Sequence, residues 1–353
     1  MRKKIYLALT LVLIGLLISR GEEAIQYSRD ALLLCADMII PSLFPFFVCS
    51  GILIYSGFCQ KLSKLFSPVM KPLFNVNPNG SSAFILGVIS GYPLGAVTAC
   101  QLYEANYISK SETERLLSFC NNSGPLFILG SVGIGLYMGL DIGILLYTAH
   151  IIGAVLVGIC MRFYSKDKHT APDYELSTPE MSFSEIFRTS AVNAANSMLL
   201  ICGTILFFSV ASRLFLGLVP FEVPPVVYGL FEFSSGNVFI AASGAPIPVR
   251  LVMSSIVTGF AGLSVHMQVL AVAAKYHLSM KPYFLGKVMH GLFSGAITVI
   301  LIKLTSYTPV FAEKSYALST AFVMASLHAV ICITIIVILF LLAYERKAGS
   351  AER

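Results

Sequence analysis

"FCNNSGPLF", residues 119–127, is followed by ILGSVGIGLYMGL, which is almost wholly apolar. Two amides, a serine, a glycine and a proline therefore interrupt a run of membrane-spanning character. Pro125 lacks an N–H and is favourable just inside a helix start. Asn121, Asn122 and Ser123 are capping residue types placed ahead of that start. The spacing predicts one helix ending near Phe119 and another beginning near Pro125. A half-helix N-terminus at membrane depth carries free N–H groups and roughly half a positive charge. That suits an anion, above all a carboxylate. A kink capped by its own amides, with no ligand, satisfies the same residues.

Composition places this break in lipid. The chain has 353 residues, 56% of them hydrophobic and 12% charged, against about 25% charged in a soluble domain. Mean hydropathy is +0.81, and successive apolar stretches reach about 20 residues. The net charge of +6 is spread over short loops, without the basic arm or aromatic-basic interleaving of a nucleic-acid binder. The eight cysteines fall mostly in apolar stretches without C-x-x-C spacing and read as buried thiols. No metal and no cofactor is expected. No Walker loop, H-E-x-x-H or nucleophile elbow is present, which disfavours an enzyme.

Apolar segments fall at 5–19, 31–57, 81–103, 116–139, 143–161, 189–217, 225–243, 250–274, 284–302 and 316–343. The first lies in a 1–30 region that reads as an uncleaved signal anchor, with a cleaved signal peptide as the alternative. Residues 162–188, with Pro172, Pro179 and mixed charges, read as a cytoplasmic linker. Two segments are too broken to span. In 81–103, Gly87, Gly91, Pro93 and Gly95 sit near the middle; in 225–243, Glu232, Ser234, Ser235, Gly236 and Asn237 do. Irregular backbone at membrane depth is tolerated only against protein or a wet cavity, so both read as re-entrant hairpins.

Charge bias supports that topology. With the N-terminus inside and both hairpins returning to their own side, the outer surface holds Arg20, Arg29, Arg213, Arg250, Lys303 and Lys314. The inner surface, Lys287 included, holds the rest of the 24 Lys and Arg. The fold class expected is an all-α polytopic membrane protein of about eight transmembrane helices plus two re-entrant hairpins. Residues 31–161 and 189–302 repeat one order of elements with opposite orientation, an inverted-topology repeat typical of secondary transporters. Gly91 is matched with Gly236, and Asn121–Pro125 with 259–268. Residues 303–353 form a final helix and tail.

Candidate substrate-binding residues cluster at these breaks: Gly91, Tyr92 and Pro93; Asn121, Asn122, Ser123 and Gly124; Glu232, Ser234, Ser235, Gly236 and Asn237; and Gly262, Ser264, His266 and Gln268. The glycines permit close backbone approach. Tyr92 offers a stacking face, or merely packs. Glu232 is an intramembrane ionisable group, functional by default, or it pins the fold. His266 donates to a carboxylate or carries a proton, or is a satisfied core histidine, and the same alternatives hold for His290. Arg115 and Arg250 draw anions toward the site or anchor helix ends.

The runs PSLFPFFVCSGIL, ISGYPLGA, ETERLLSFCNNSGPLFILGSVG, FEFSSG and GLSVHMQ resemble the sporulation integral membrane protein family called YlbJ or SpoVV. That family carries the Gate (nucleoside-recognition) domain shared with concentrative nucleoside transporters and the ferrous-iron transporter FeoB. The resemblance covers roughly residues 30–345. It implies a multi-pass bacterial membrane protein that moves dipicolinate out of the mother cell across the outer forespore membrane. Nucleoside transport, and a non-transporting scaffold for other sporulation membrane proteins, are the alternatives. Ala261 departs from the pattern, where a second glycine is expected beside Gly262.

Overall fold

The computed structural model describes residues 2–56, 66, 68–164 and 181–305. The expected helix at 316–343 and most of the 162–188 linker lie outside the described residues. All regular structure in the described part is helical. Helix α1 (Arg2–Ser19) and α2 (Gly21–Leu34) lead through a π-turn, Cys35–Ile39, into α3 (Ile40–Tyr55). Pro45 lies inside α3, and the segments Gly21–Ile39 and Leu43–Leu53 meet at a 50° bend.

Next come a helical hairpin, α4 (Ser81–Ser90) and α5 (Leu94–Glu104), and a broken unit. The unit is α6 (Lys110–Cys120) followed by a π-helix, Leu126–Leu136. A long helix, α7 (Leu140–Met161), closes this half. The second half repeats the order. It has α8 (Phe183–Leu216), the hairpin α9 (Pro225–Phe231) and α10 (Phe233–Ala242), the broken unit α11 (Ile247–Phe260) and α12 (Gly262–Ala273), and the long helix α13 (Lys281–Leu304).

Local sequence explains the starts and stops. Ser109 caps α6 and Ser182 caps α8, each in a reciprocal capping box with the glutamate three residues on, Glu112 and Glu185. Pro225 and Pro282 sit in first turns, where a missing N–H costs nothing. The long helices leave large apolar side chains outward, among them Ile144, Ile152, Leu199, Phe207, Leu285 and Ile300, as expected of surfaces facing lipid.

Among the described residues four helical stretches are long and apolar enough to cross a membrane: Leu140–Met161, Phe183–Leu216, Ile247–Tyr276 and Lys281–Leu304. The bent pair Gly21–Ile39 and Leu43–Leu53 makes a fifth if it is one span. The unit at 110–136 is made of two 11-residue pieces, the α-helical one about 16 Å long and the π-helix no longer, so neither half crosses alone.

Packing recurs in pairs. The hairpin arms pack together in each half, α4 on α5 and α9 on α10, and each hairpin packs on its own broken unit, through α6 and α11. The second arm of each hairpin reaches across to the far half of the other broken unit: α5 touches α12, and α10 touches the Leu126–Leu136 π-helix. The long helices α7 and α13 pack on each other, as do α3 and α8. The pairing has gaps, since the π-helix folds back on α7 through Gly133 and Gly143 with no equally extensive partner in the second half.

At one end, Tyr276 and Lys275 tie the second half to Glu104 of α5, with the Tyr276 hydroxyl at 2.7 Å and the Lys275 ammonium at 3.3 Å. They hold the Glu104 carboxyl below its usual range, the tyrosine contributing most.

Candidate functional site

Both hairpins are closed by glycine contacts. In the first, a Cβ on Gly95 would lie 3.0 Å from Gly87 Cα, and both glycines abut the carbonyl of Cys120, the last residue of α6. Gly91 turns the tip at φ +82°, and the Tyr92–Pro93 peptide is cis. In the second, a side chain on Gly236 would collide with the Gly229 backbone. Gly236 thus plays the part of Gly95, not of Gly91 as the sequence pairing expects. The structural counterpart of Gly91 is Glu232, at the tip between α9 and α10.

Each tip rests on a helix break. A Cβ on Gly91 would lie 2.7 Å from the Gly124 nitrogen, and one on Gly262 3.0 Å from the Phe233 nitrogen. The first break, Asn121–Gly124, falls where FCNNSGPLF places it. Asn122 Nδ2 donates to the Phe119 carbonyl at 2.9 Å, capping the end of α6. The Ser123 amide donates to His150 Nε2 on α7 at 3.1 Å. Lys287 Nζ on α13 donates to the Asn121 carbonyl at 3.0 Å. The second break is shorter. Ala261 takes a left-handed conformation, φ +77°, and Gly262 follows at φ +68°.

At the second tip Glu232 caps α10: the amides of Ser234 and Ser235 donate to its carboxylate at 3.0 and 2.6 Å. The N-terminus of this half-helix is therefore filled by the chain's own carboxylate. Ser235 Oγ pairs with Ser209 Oγ at 2.8 Å, and Asn237 Nδ2 donates to the Phe233 carbonyl at 2.7 Å. The two tips meet through aromatic rings. Tyr92 lies edge-on to Phe233 at 5.6 Å between centroids, and its hydroxyl donates to the Thr258 carbonyl at 3.0 Å.

Tips and breaks converge on a central cavity of about 40 Å³. Its walls include Ser90, Gly91, Tyr92, Ser123, Gly124, Glu232, Ser234, Ser264 and Gln268, with Phe127, Phe233, Val265 and residues of α3 and α8. Ser90 Oγ, Ser264 Oγ and Gln268 Oε1 are buried without a hydrogen-bond partner, so the cavity offers polar atoms that call for water or ligand. Gln268 Nε2 is held by Thr204 Oγ1 at 2.8 Å.

Sharing Phe47, Ser90 and Tyr92 with it is a vestibule of about 660 Å³ between α3, α8 and the first hairpin. Pro93, Thr98 and Gln101 line it from the hairpin, Ser50 and Tyr55 from α3, and Ser190, Asn193, Asn196 and Ser197 from α8. Among the described residues, no charged side chain lines it.

The other candidate residues stand back from the cavity. His266 Nδ1 pairs with the Tyr283 hydroxyl at 2.9 Å, and its ring packs against Phe260 and Phe284. Asn121, Asn122, Ser235, Gly236, Asn237 and Gly262 shape the tips and breaks from behind. Arg115 donates to the carbonyls of Tyr164 and Asn75, at 2.8 and 2.7 Å, and Arg250 to that of Ala241; both tie backbone at helix ends.

Sequence reasoning missed Lys287. It counts there as an inner-surface charge, but it is 1% exposed within α13. Its Nζ meets His290 Nδ1 at 3.2 Å, and the rings of His290 and His150 pack at a tilt, 4.3 Å between centroids. The K-x-x-H spacing in KVMHGLFSG puts Lys287 and His290 on one helix face and was the available signal. His150 carried none.

Residues 37–164 match the Gate family, described as nucleoside recognition. The chain is similar to the sporulation integral membrane protein YlbJ of Bacillus subtilis (strain 168), 29% identical over 330 residues, which cover 83% of this chain and 81% of that protein. No solved structure matches the chain. The resemblance to the YlbJ sporulation membrane proteins carried by the sequence motifs is thereby borne out, with a Gate segment in the first half of the chain.

Proposed function

We propose that this protein is a secondary transporter of a small organic anion, with dipicolinate as the favoured substrate, working in the outer forespore membrane during sporulation. The observation that carries the reading is the meeting of two hairpin tips and two helix breaks at one buried polar cavity. Paired broken elements around a central site are the construction used by secondary transporters. The paired packing of the two halves supports the inverted repeat, and the charge bias supports about eight spans with re-entrant hairpins. The relative's name supplies sporulation.

The central cavity of about 40 Å³ is far below the roughly 300 Å³ of a small-molecule pocket. The vestibule reaches that size. On this reading the conformation is one with the substrate site closed at the tips and the approach open along α8 and the first hairpin.

A nucleoside is the second reading. The vestibule, whose described walls are rich in serine, asparagine and glutamine, suits sugar hydroxyls and base edges, and the Gate description names nucleoside recognition. Uptake of labelled dipicolinate into proteoliposomes, with excess uridine as competitor, separates the two. Uptake untouched by uridine supports the anion; inhibition by uridine, with labelled uridine itself taken up, supports the nucleoside. No uptake of either from folded protein, under any ion gradient, favours a scaffold.

A further inference from the structure

Lys287 is a buried amine with no carboxylate beside it among the described residues. Its ammonium has two acceptors, the Asn121 carbonyl at 3.0 Å and His290 Nδ1 at 3.2 Å. Neither bears negative charge. His290 Nε2 lies 2.8 Å from the His150 carbonyl, which only accepts, so Nε2 holds the proton and Nδ1 presents its lone pair to the lysine. Among the described residues no carboxylate lies within ion-pair distance of Nζ. Burying a charge against neutral dipoles alone is costly, so the amine holds its proton most favourably when an anion stands beside it.

The remaining face of the ammonium points to Tyr92, with Nζ 5.2 Å from the ring centroid, within range of cation–π attraction. Tyr92 also lines both the central cavity and the vestibule. Its ring is thus the partition between solvent-sized space and the buried cation. One hydrogen bond, to the Thr258 carbonyl, fixes its hydroxyl.

We propose that Lys287 is the specificity-determining cation of this transporter, pairing with a carboxylate of the substrate when Tyr92 swings aside. The proposal rests on the anion-transport reading and adds the residue that reads the charge. Tyr92 then serves as a surrogate ligand, its π-face occupying the ammonium until a carboxylate replaces it.

The test is binding to the full-length protein in detergent, comparing dipicolinate with its uncharged diamide, pyridine-2,6-dicarboxamide. Wild type is expected to prefer the acid by about ten- to a hundredfold, the worth of one charge-assisted contact. In Lys287→Met, shown folded by a cooperative unfolding transition, that ratio is expected to fall to about one. A wild type without preference overturns the anion reading itself. A preference that survives intact in Lys287→Met overturns the role of Lys287 alone. Should Lys287→Met not fold, Tyr92→Ala decides: faster association of the acid but not of the diamide supports the partition, and equal or absent acceleration overturns it.

Discussion

Gly91 and Gly124 touch backbone to backbone, so closely that a Cβ on Gly91 would lie 2.7 Å from the Gly124 nitrogen. The tip of the first hairpin and the first helix break are therefore one mechanical unit. Gly91 also sits at φ +82° with ψ −169°, a region open essentially to glycine alone. Gly91→Ala is expected to lose about 1–3 kcal/mol of stability and to abolish transport, because the tip no longer seats. Thermal unfolding in detergent and proteoliposome uptake check both parts. Wild-type behaviour in both would show that the tip is not held against the break.

Glu232 separates capping from transport. Its two oxygens accept the amides of Ser234 and Ser235. Glu232→Ala leaves both donors buried and unpaired, and a loss of about 1–3 kcal/mol is expected. Glu232→Gln keeps one acceptor oxygen and should destabilise less. If the carboxylate also takes part in moving substrate or coupling ion, Glu232→Gln loses uptake out of proportion to its stability. Uptake per folded molecule in the two variants is the measurement.

Much of this was legible before the fold was known. FCNNSGPLF announces a helix break because proline and capping residues are local signals, and the break falls at Asn121–Gly124. The hairpin breaks at Gly91 and Glu232 were legible for the same reason. The pairing of Gly91 with Gly236 failed because a glycine that turns a tip and a glycine that lets two helices touch look alike in sequence. Lys287 was misplaced because a cation near a predicted helix end reads as solvated, and its burial depends on α6 and α7 packing around α13. His150 was invisible, since its partner, the Ser123 amide, is 27 residues away.

Ala261 is the residue that departs from the expected glycine pair, and the structure shows what the departure costs. At φ +77° an alanine pays roughly 1–2 kcal/mol that glycine does not. Ala261→Gly is expected to stabilise the protein by about 1 kcal/mol after the added chain entropy of glycine is offset. An upward shift of the unfolding midpoint reads this out; a downward shift would mean that packing of the buried methyl outweighs the backbone strain.

Asn122 tests the first break directly. Its Nδ2 caps the Phe119 carbonyl, while its Oδ1 is buried without a partner. Asn122→Leu removes both groups with the same number of side-chain heavy atoms and leaves one carbonyl unpaired, at a cost of about 1–3 kcal/mol. Membrane insertion is expected to persist, because hydrophobicity rises, and uptake to vanish. Normal flux in an inserted, folded Asn122→Leu protein would show that transport does not depend on this cap.

The vestibule makes a prediction about water. Ser197 and Leu199 are two residues apart on α8, but Ser197 lines the vestibule while Leu199 is 73% exposed on the outer surface. A thiol reacts as its thiolate, which requires water. In a cysteine-free background, Ser197→Cys is expected to react with a membrane-impermeant maleimide, and Leu199→Cys, facing lipid, is not. Labelling should come from the side that holds the N-terminus of α8, the cytoplasmic side by the charge bias. Dipicolinate should slow it if the vestibule is the route to the tips. Equal labelling at both positions would place α8 outside the bilayer, and labelling only from the opposite side would invert the orientation assigned to both halves.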